Sequence, residues 1–198
     1  ERVANATGSV PDKFRPWLDI AKDAGGKSQL QLRKALTLPS YVLPTNGIAV
    51  MRTGVGLDQT LVSVDWSKAT GHSHEGPFNL LLYGARHEAL CDQGYLNNVT
   101  PAQAWMNSAE AHNTALVRTA NGSAEHCGTW RGGLRFFADT PSVKGVEVAE
   151  EDQAKLKQGL PADERVLFQR TVTLLEADVG AGQVGNLSYV VDIFRLQG

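Results

Sequence analysis

The chain carries its clearest structural signal in TLVSVDWSKATGHSHEGPFNLLLYGARHEALCD, residues 60–92. Residues 60–66 place apolar side chains at every second position, and residues 78–82 form an apolar run. A Gly-containing turn follows at residues 84–87, and residues 88–92 return from it. Alternation with a period of two is typical of a β-strand that buries one face. This stretch therefore predicts three short strands joined by turns.

Strand signals continue on both sides of this stretch. They occupy residues 48–52, 113–119, 134–138, 143–148, 166–174 and 189–193, with Gly, Pro and Asn between them. Many short strands separated by turn residues predict a mainly β protein, an antiparallel β-sandwich or barrel. The charged stretch 147–164 predicts a solvated loop or a short helix.

Residues 1–40 differ from the rest of the chain. Phe14, Trp17, Leu18 and Ala21 recur at helical spacing, and prolines at positions 39 and 44 flank the exit. We therefore expect a short helical N-terminal segment over residues 1–40 and a β domain over residues 41–198. Because the last strand signal lies next to the C-terminus, we expect that domain to be truncated there.

Composition excludes several classes of partner. The 198 residues carry a net charge of −2, which gives no overall attraction to nucleic acid or to an anionic membrane surface. No apolar run approaches the roughly 20 residues that a membrane-spanning helix needs. We expect neither nucleic acid nor membrane as a partner.

Histidine and aspartate side chains supply three candidate ligands for a metal site. In extended backbone, His72 and His74 point to the same face, so both imidazoles can serve one centre. The interval from His74 to Asp92 leaves room for a strand, a turn and a second strand, and His112 stands at the head of a further strand-like run. Two His and one Asp form a ligand set that zinc uses with a fourth position open.

In this order the motifs resemble the C-terminal β-sandwich of the heparinase II/III-like polysaccharide lyases. The resemblance spans roughly residues 44–198. It rests on GHSH at 71–74, LCDQGY at 90–95, SAEAHNT at 108–114 and YVVDIFR at 189–195. Members of this family join an N-terminal α/α toroid to the β-sandwich and cleave uronic-acid polysaccharides by β-elimination. Residues 1–40 would then be the tail of the upstream toroid.

The resemblance also implies roles for single residues. His74, Asp92 and His112 would bind zinc, and His72 would point into the substrate cleft as a catalytic residue. The acid/base tyrosine would come from the toroid. A satisfied structural histidine is the alternative for each imidazole, and a turn position or a fourth metal ligand is a further alternative for His72.

The substrate implied is an anionic polysaccharide of the glycosaminoglycan or alginate type, and the setting implied is the bacterial periplasm or the cell exterior. Trp105 is a candidate sugar-stacking platform, with core packing as its alternative, and Arg86 is a candidate contact for carboxylate or sulfate. Two other functions remain open, a non-catalytic carbohydrate-binding or support sandwich and a cupin-like metal enzyme.

Overall fold

Antiparallel strands make up most of the described structure. The computed structural model describes residues 37–67, 78–92, 101–118, 124–126, 132–150, 166–177 and 187–197. The predicted helical segment falls on residues 1–40, of which 1–36 lie outside this description. Among the described residues, no helix is both long and apolar enough to cross a membrane.

The first sheet has five strands, and each strand pairs with the next one along the chain. Its strands are β1 (Tyr41–Leu43), β2 (Ile48–Thr53), β3 (Thr60–Asp65), β4 (Asn79–Gly84) and β5 (His87–Leu90). Antiparallel strands that are neighbours in the chain can be joined by short turns. In the turn between β4 and β5, Ala85 and Arg86 both have positive φ. The three strands predicted over residues 60–92 are confirmed as β3, β4 and β5.

The second sheet has four strands in the order β11-β10-β9-β8. Its strands are β8 (Gly132–Asp139), β9 (Val143–Glu150), β10 (Leu167–Ala177) and β11 (Leu187–Gln197). The predicted loop or helix over residues 147–164 is wrong at its start, because residues 147–150 extend β9 and Glu150 is buried. Residues 151–165 lie outside the described part of the chain.

The two sheets enclose a core built from the alternating apolar positions. Val62 and Val64 of β3, Val146 and Val148 of β9 and Val172 of β10 are fully buried in it. Because every second residue of a strand faces the partner sheet, the alternation seen in the sequence specifies this packing directly. The β-sandwich prediction is confirmed.

A helical segment leads into the third, two-stranded sheet. It consists of α1 (Pro101–Asn107) and a 3-10 turn at Ala109–Ala111, and the small sheet pairs β6 (Leu116–Arg118) with β7 (Ala124–His126). His112 was expected at the head of a strand, but it caps the 3-10 turn in extended conformation, and β6 begins four residues later.

The sandwich has two distinct ends. At one end, which we call the turn end, lie the β4–β5 turn and the bond from the Thr53 hydroxyl to Glu176 Oε2, 2.6 Å long. At the other, which we call the site end, lie the first residue of β4, the last of β9 and the first of β10. Paired strands run antiparallel, so successive strands within a sheet run alternately toward one end and toward the other.

Candidate metal and substrate site

Two of the predicted metal ligands meet at the site end. Asp92 follows β5, His112 follows the 3-10 turn, and the histidine Nε2 lies 3.5 Å from Asp92 Oδ2. The His112 side chain is 2% exposed, whereas that of Asp92 is 31% exposed. The imidazole therefore forms the floor of the site and the carboxylate stands at its opening.

The backbone fixes the tautomer of His112. Its Nδ1 lies 2.8 Å from the carbonyl oxygen of Ser108. Since a carbonyl oxygen only accepts hydrogen bonds, Nδ1 carries a proton, and Nε2 is the ring nitrogen that faces Asp92. A histidine that donates through one ring nitrogen to a backbone carbonyl is oriented as metal-binding histidines are.

Asn79 joins the segments that carry the two ligands. Its Nδ2 donates to Asp92 Oδ2 over 3.0 Å, and its Oδ1 accepts the backbone N–H of Asn113 over 3.0 Å. Asn113 in turn donates its side-chain amide to the carbonyl of Cys91 at 3.2 Å. The residue after His112 and the residue before Asp92 are thus held to each other and to the first residue of β4.

Behind these segments lies a buried guanidinium. Arg170 of β10 is 4% exposed and forms a two-pronged ion pair with Asp192 of β11, with N···O distances of 2.9 and 2.7 Å. Its Nη1 also donates to the carbonyl of Asn113 at 2.6 Å and to the carbonyl of Phe78. A buried charge is tolerated only when it is paired and its donors are used, and here the donors reach across from one sheet to the other.

The donor set fits a zinc ion. Zinc takes His nitrogen and Asp oxygen at about 2.0–2.2 Å, so two tetrahedral ligand atoms lie about 3.3 Å apart. The 3.5 Å between His112 Nε2 and Asp92 Oδ2 is close to that separation. Among the described residues no three His, Cys, Asp or Glu side chains come together, and the predicted third ligand, His74, lies outside them together with His72.

Trp105 lies on the helix that precedes His112. Its side chain is 56% exposed, so core packing does not account for it, whereas Trp66 is buried in the core. The carbonyl of Trp105 accepts from the backbone N–H and the hydroxyl of Ser108, and the carbonyl of Ser108 accepts from His112. Two short hydrogen-bonded steps therefore connect the backbone of Trp105 to the side chain of His112.

Arg86 lies at the turn end, at the far end of β4 from Asn79. Its guanidinium donates through Nε and Nη2 to Asp58 Oδ1, at 3.0 and 2.8 Å, and its side chain is 62% exposed. The six residues of β4 separate it from the ligands by about 17–20 Å. A substrate contact by Arg86 stays a prediction.

Sequence reasoning did not identify Asn79 or Arg170. Arg170 alternates in step with Phe168 and Val172, which predicts a side chain that faces the core. The pattern contains no information on its partners, which are 57 and 92 residues away for the two carbonyls.

The sequence matches one known protein family. The family described as Heparinase II/III-like, C-terminal, matches residues 36–179. No curated protein matches the chain.

Two solved structures share its fold. The heparan sulfate lyase HepC from Pedobacter heparinus is 13% identical with a TM-score of 0.52, and the Heparinase III BT4657 gene product is 12% identical with a TM-score of 0.53. The match covers 85% and 88% of this chain, but only 29% and 30% of those two.

Proposed function

The chain belongs to the heparinase II/III-like C-terminal family, and we propose that it is the β-sandwich part of a polysaccharide lyase. The parent enzyme would cleave a uronic-acid-containing polysaccharide, of the glycosaminoglycan or alginate type, by β-elimination. The observation that carries this proposal is the pairing of Asp92 with a buried His112 of fixed tautomer at one end of the sandwich.

Zinc bound by His74, Asp92 and His112 would supply a fixed divalent charge at the mouth of the site. We assign the site a positioning role. His74 lies two residues from His72, so a fixed His74 would hold the loop that presents His72. The hydrogen bonds of Asn79 and Arg170 support this role, because they restrain Asp92 and the residue that follows His112.

His72 would act in the cleft. β-Elimination removes the proton at C5 of the uronate, forms a C4–C5 double bond and breaks the bond from C4 to the glycosidic oxygen. An imidazole with an ordinary pKa near 6.5 can neutralise the uronate carboxylate or handle that proton. The acid/base tyrosine would come from an upstream toroid, so we expect this chain alone to be inactive.

The polysaccharide would lie across the site end. The exposed Trp105 offers an aromatic face on which the apolar face of a sugar can stack. Trp105 lies seven residues before His112, and its backbone carbonyl is hydrogen-bonded to Ser108, whose carbonyl accepts from His112. Arg86 would contact a more distant anionic group of a long chain, and the protein would work in the periplasm or outside the cell.

Metal analysis of protein purified without added metal tests the site. We expect about one zinc per chain in the wild type, loss of zinc in His112→Ala and His74→Ala, and retention in His87→Ala. His87 is exposed on β5 and serves as the matched control. Native protein without metal, or His112→Ala with full zinc, would rule the site out.

The activity is tested on the parent protein. Appearance of unsaturated uronate absorbance, lost in His72→Ala while zinc is retained, is the result expected for a lyase. A parent that binds zinc but releases no unsaturated product would favour the second candidate, a carbohydrate-binding or support sandwich. The family match argues against the cupin-like alternative.

A further inference from the structure

A second concave site lies at the site end, separate from the candidate ligands. It is a pocket of about 330 Å³ formed where β9 ends, β10 begins and β11 ends. Its polar lining residues are Arg135, Glu147, Glu150, Gln169, Arg195 and Gln197. A volume near 300 Å³ is at the small end of the range for ligand pockets, which suits a sugar residue or a comparable small group.

A strand irregularity places one of the two arginines. The pairing of β8 with β9 shifts register between Leu134 and Phe136, so Arg135 is the extra residue of a β-bulge. Bulges redirect the side chain of the extra residue and are frequent beside functional sites. The Arg135 Nη2 lies 3.4 Å from the carbonyl oxygen of Glu150, which holds the guanidinium against the pocket wall.

The second arginine is available for a ligand. Arg195 lies opposite Gln169 in the β10–β11 pairing, and neither a hydrogen bond nor an ion pair joins its guanidinium to another described residue. Arg135 and Arg195 lie on β8 and β11, the two edge strands of the second sheet, and line the pocket from opposite sides. Each guanidinium can pair with a carboxylate or sulfate group. The amides of Gln169 and Gln197 can bond to sugar hydroxyls.

The two acidic side chains that line the pocket, Glu147 and Glu150, repel a bound anion less than two free carboxylates would. Glu147 accepts a hydrogen bond from the Thr171 hydroxyl at 2.9 Å. Glu150 is 3% exposed, and burial raises its pKa from 4.5 to about 7, against the opposing effect of the hydrogen bond from the Phe168 N–H. Near neutral pH a large share of Glu150 side chains is therefore uncharged.

The pocket lies at the same end of the sandwich as the segments that carry Asp92 and His112. Phe168 lines it, and Arg170, which holds the residue after His112, lies two positions further along β10. At about 3.3 Å per strand residue, the two positions are roughly 7 Å apart. On β10 the pocket-lining Gln169 alternates with Arg170, so the pocket opens on the outer face of the second sheet, at the same end of the sandwich as Asp92 and His112.

We propose that this pocket is an accessory subsite for one carboxylated or sulfated sugar residue of the polymer, with Arg135 and Arg195 as its anion-binding groups. The inference rests on the proposed function for the identity of the polymer. It does not depend on zinc or on the elimination chemistry.

The test is titration calorimetry of the 198-residue chain with two defined probes, an alginate hexasaccharide and a heparin hexasaccharide. Arg135→Ala and Arg195→Ala should each weaken binding by about three- to tenfold, as expected for loss of a charged hydrogen-bonding group. Arg52→Ala removes the same charge at the turn end and should bind as the wild type does. Glu150→Gln should bind at least as tightly as the wild type.

Location is read independently of affinity. Side-chain amide signals of Gln169 and Gln197 should shift in the NMR spectrum when the probe is added, whereas that of Gln59 at the turn end should not. Binding of the alginate probe would identify carboxylate as sufficient, and binding of the heparin probe alone would identify sulfate.

Wild-type affinity in both arginine variants, or no binding of either probe, would overturn the subsite. Neither result would affect the zinc and unsaturated-product tests of the proposed function.

Discussion

The two ends of the sandwich join the same two sheets in different ways. Among the described residues, one side-chain hydrogen bond joins the sheets at the turn end, from Thr53 to Glu176. At the site end a buried Arg170 reaches two carbonyls and a carboxylate, and Asn79 extends the network to Asp92.

The difference shows where the molecule uses buried polarity. Among the described residues the apolar core runs between the sheets toward both ends, with Phe78 and Phe168 near the site end and Leu174 toward the turn end. A buried charge is costly and is a weak source of stability. Its value at the site end is geometric, since it fixes the backbone on either side of the candidate ligands.

The largest expected effect is that of Arg170→Ala. The change leaves two buried carbonyls without their donors and Asp192 without its partner, so we expect a loss of about 3–5 kcal/mol in the free energy of unfolding. Urea unfolding followed by circular dichroism measures it, with Arg52→Ala as the control for loss of an arginine at the turn end. A loss below 1 kcal/mol would remove the contrast between the two ends.

Glu150→Gln should change how stability depends on pH. Because folding raises the pKa of Glu150 from 4.5 to about 7, the folded state holds its proton more tightly. That contribution is complete below pH 4.5 and is lost as pH rises through about 7, which amounts to about 2–3 kcal/mol.

The glutamine variant should therefore gain on the wild type progressively from pH 4.5 to above 7 in thermal unfolding scans. The exposed Glu88→Gln is the matched control and should follow the wild type. Parallel pH profiles for Glu150→Gln and the wild type would show that Glu150 titrates normally in the folded protein.

Asn79→Ala sharpens the comparison within the site end. It removes the donor to Asp92 and the acceptor for Asn113, and loss of such supporting contacts weakens metal affinity by about 10- to 100-fold. Competition with a chromophoric chelator measures zinc affinity directly. Asn107→Ala removes an amide that bonds to Gln103 on the nearby helix, and it should leave zinc affinity unchanged.

Thr53→Val should have the smallest effect. It removes one hydrogen bond at the turn end, worth about 1 kcal/mol, and preserves the shape of the side chain. Zinc affinity should be unchanged, because the site lies at the other end. A loss as large as that of Arg170→Ala would mean that both ends are equally dependent on buried polar contacts.

Periodicity predicted the sheets well, because a strand that buries one face has an apolar residue at every second position. Residues 60–66 and 166–174 show this most clearly, as β3 and β10. It failed at Glu150, where a charged residue continues the inward face of β9 and the charge suggested solvent.

The helix at Pro101–Asn107 was not predicted, although Thr100-Pro101 gave a signal for it. Proline is favoured at the first helical position and threonine just before it. Seven residues are too few for a helical period to stand out against the strands on either side.

At the candidate site, the sequence allowed the candidate ligand residues to be predicted but not the residues that hold them in place. Asp92 and His112 were selected as metal-binding types, and the structure brings them within 3.5 Å of each other. Arg170 donates to two backbone carbonyls and Asn79 accepts a backbone N–H, and almost any residue type could supply those backbone groups. Local sequence therefore gives no sign of such contacts.

The Arg170 anchor also sets an order of assembly. Its bond to the Phe78 carbonyl joins positions 92 residues apart, and its partner Asp192 comes later still. Contacts between distant positions require a large loop to close and form late in folding. As the chain leaves the ribosome, Asp92 and His112 are synthesised long before Arg170 and Asp192. At the proposed zinc site, a growing chain would hold the metal ion loosely until Arg170 and Asp192 complete the sandwich.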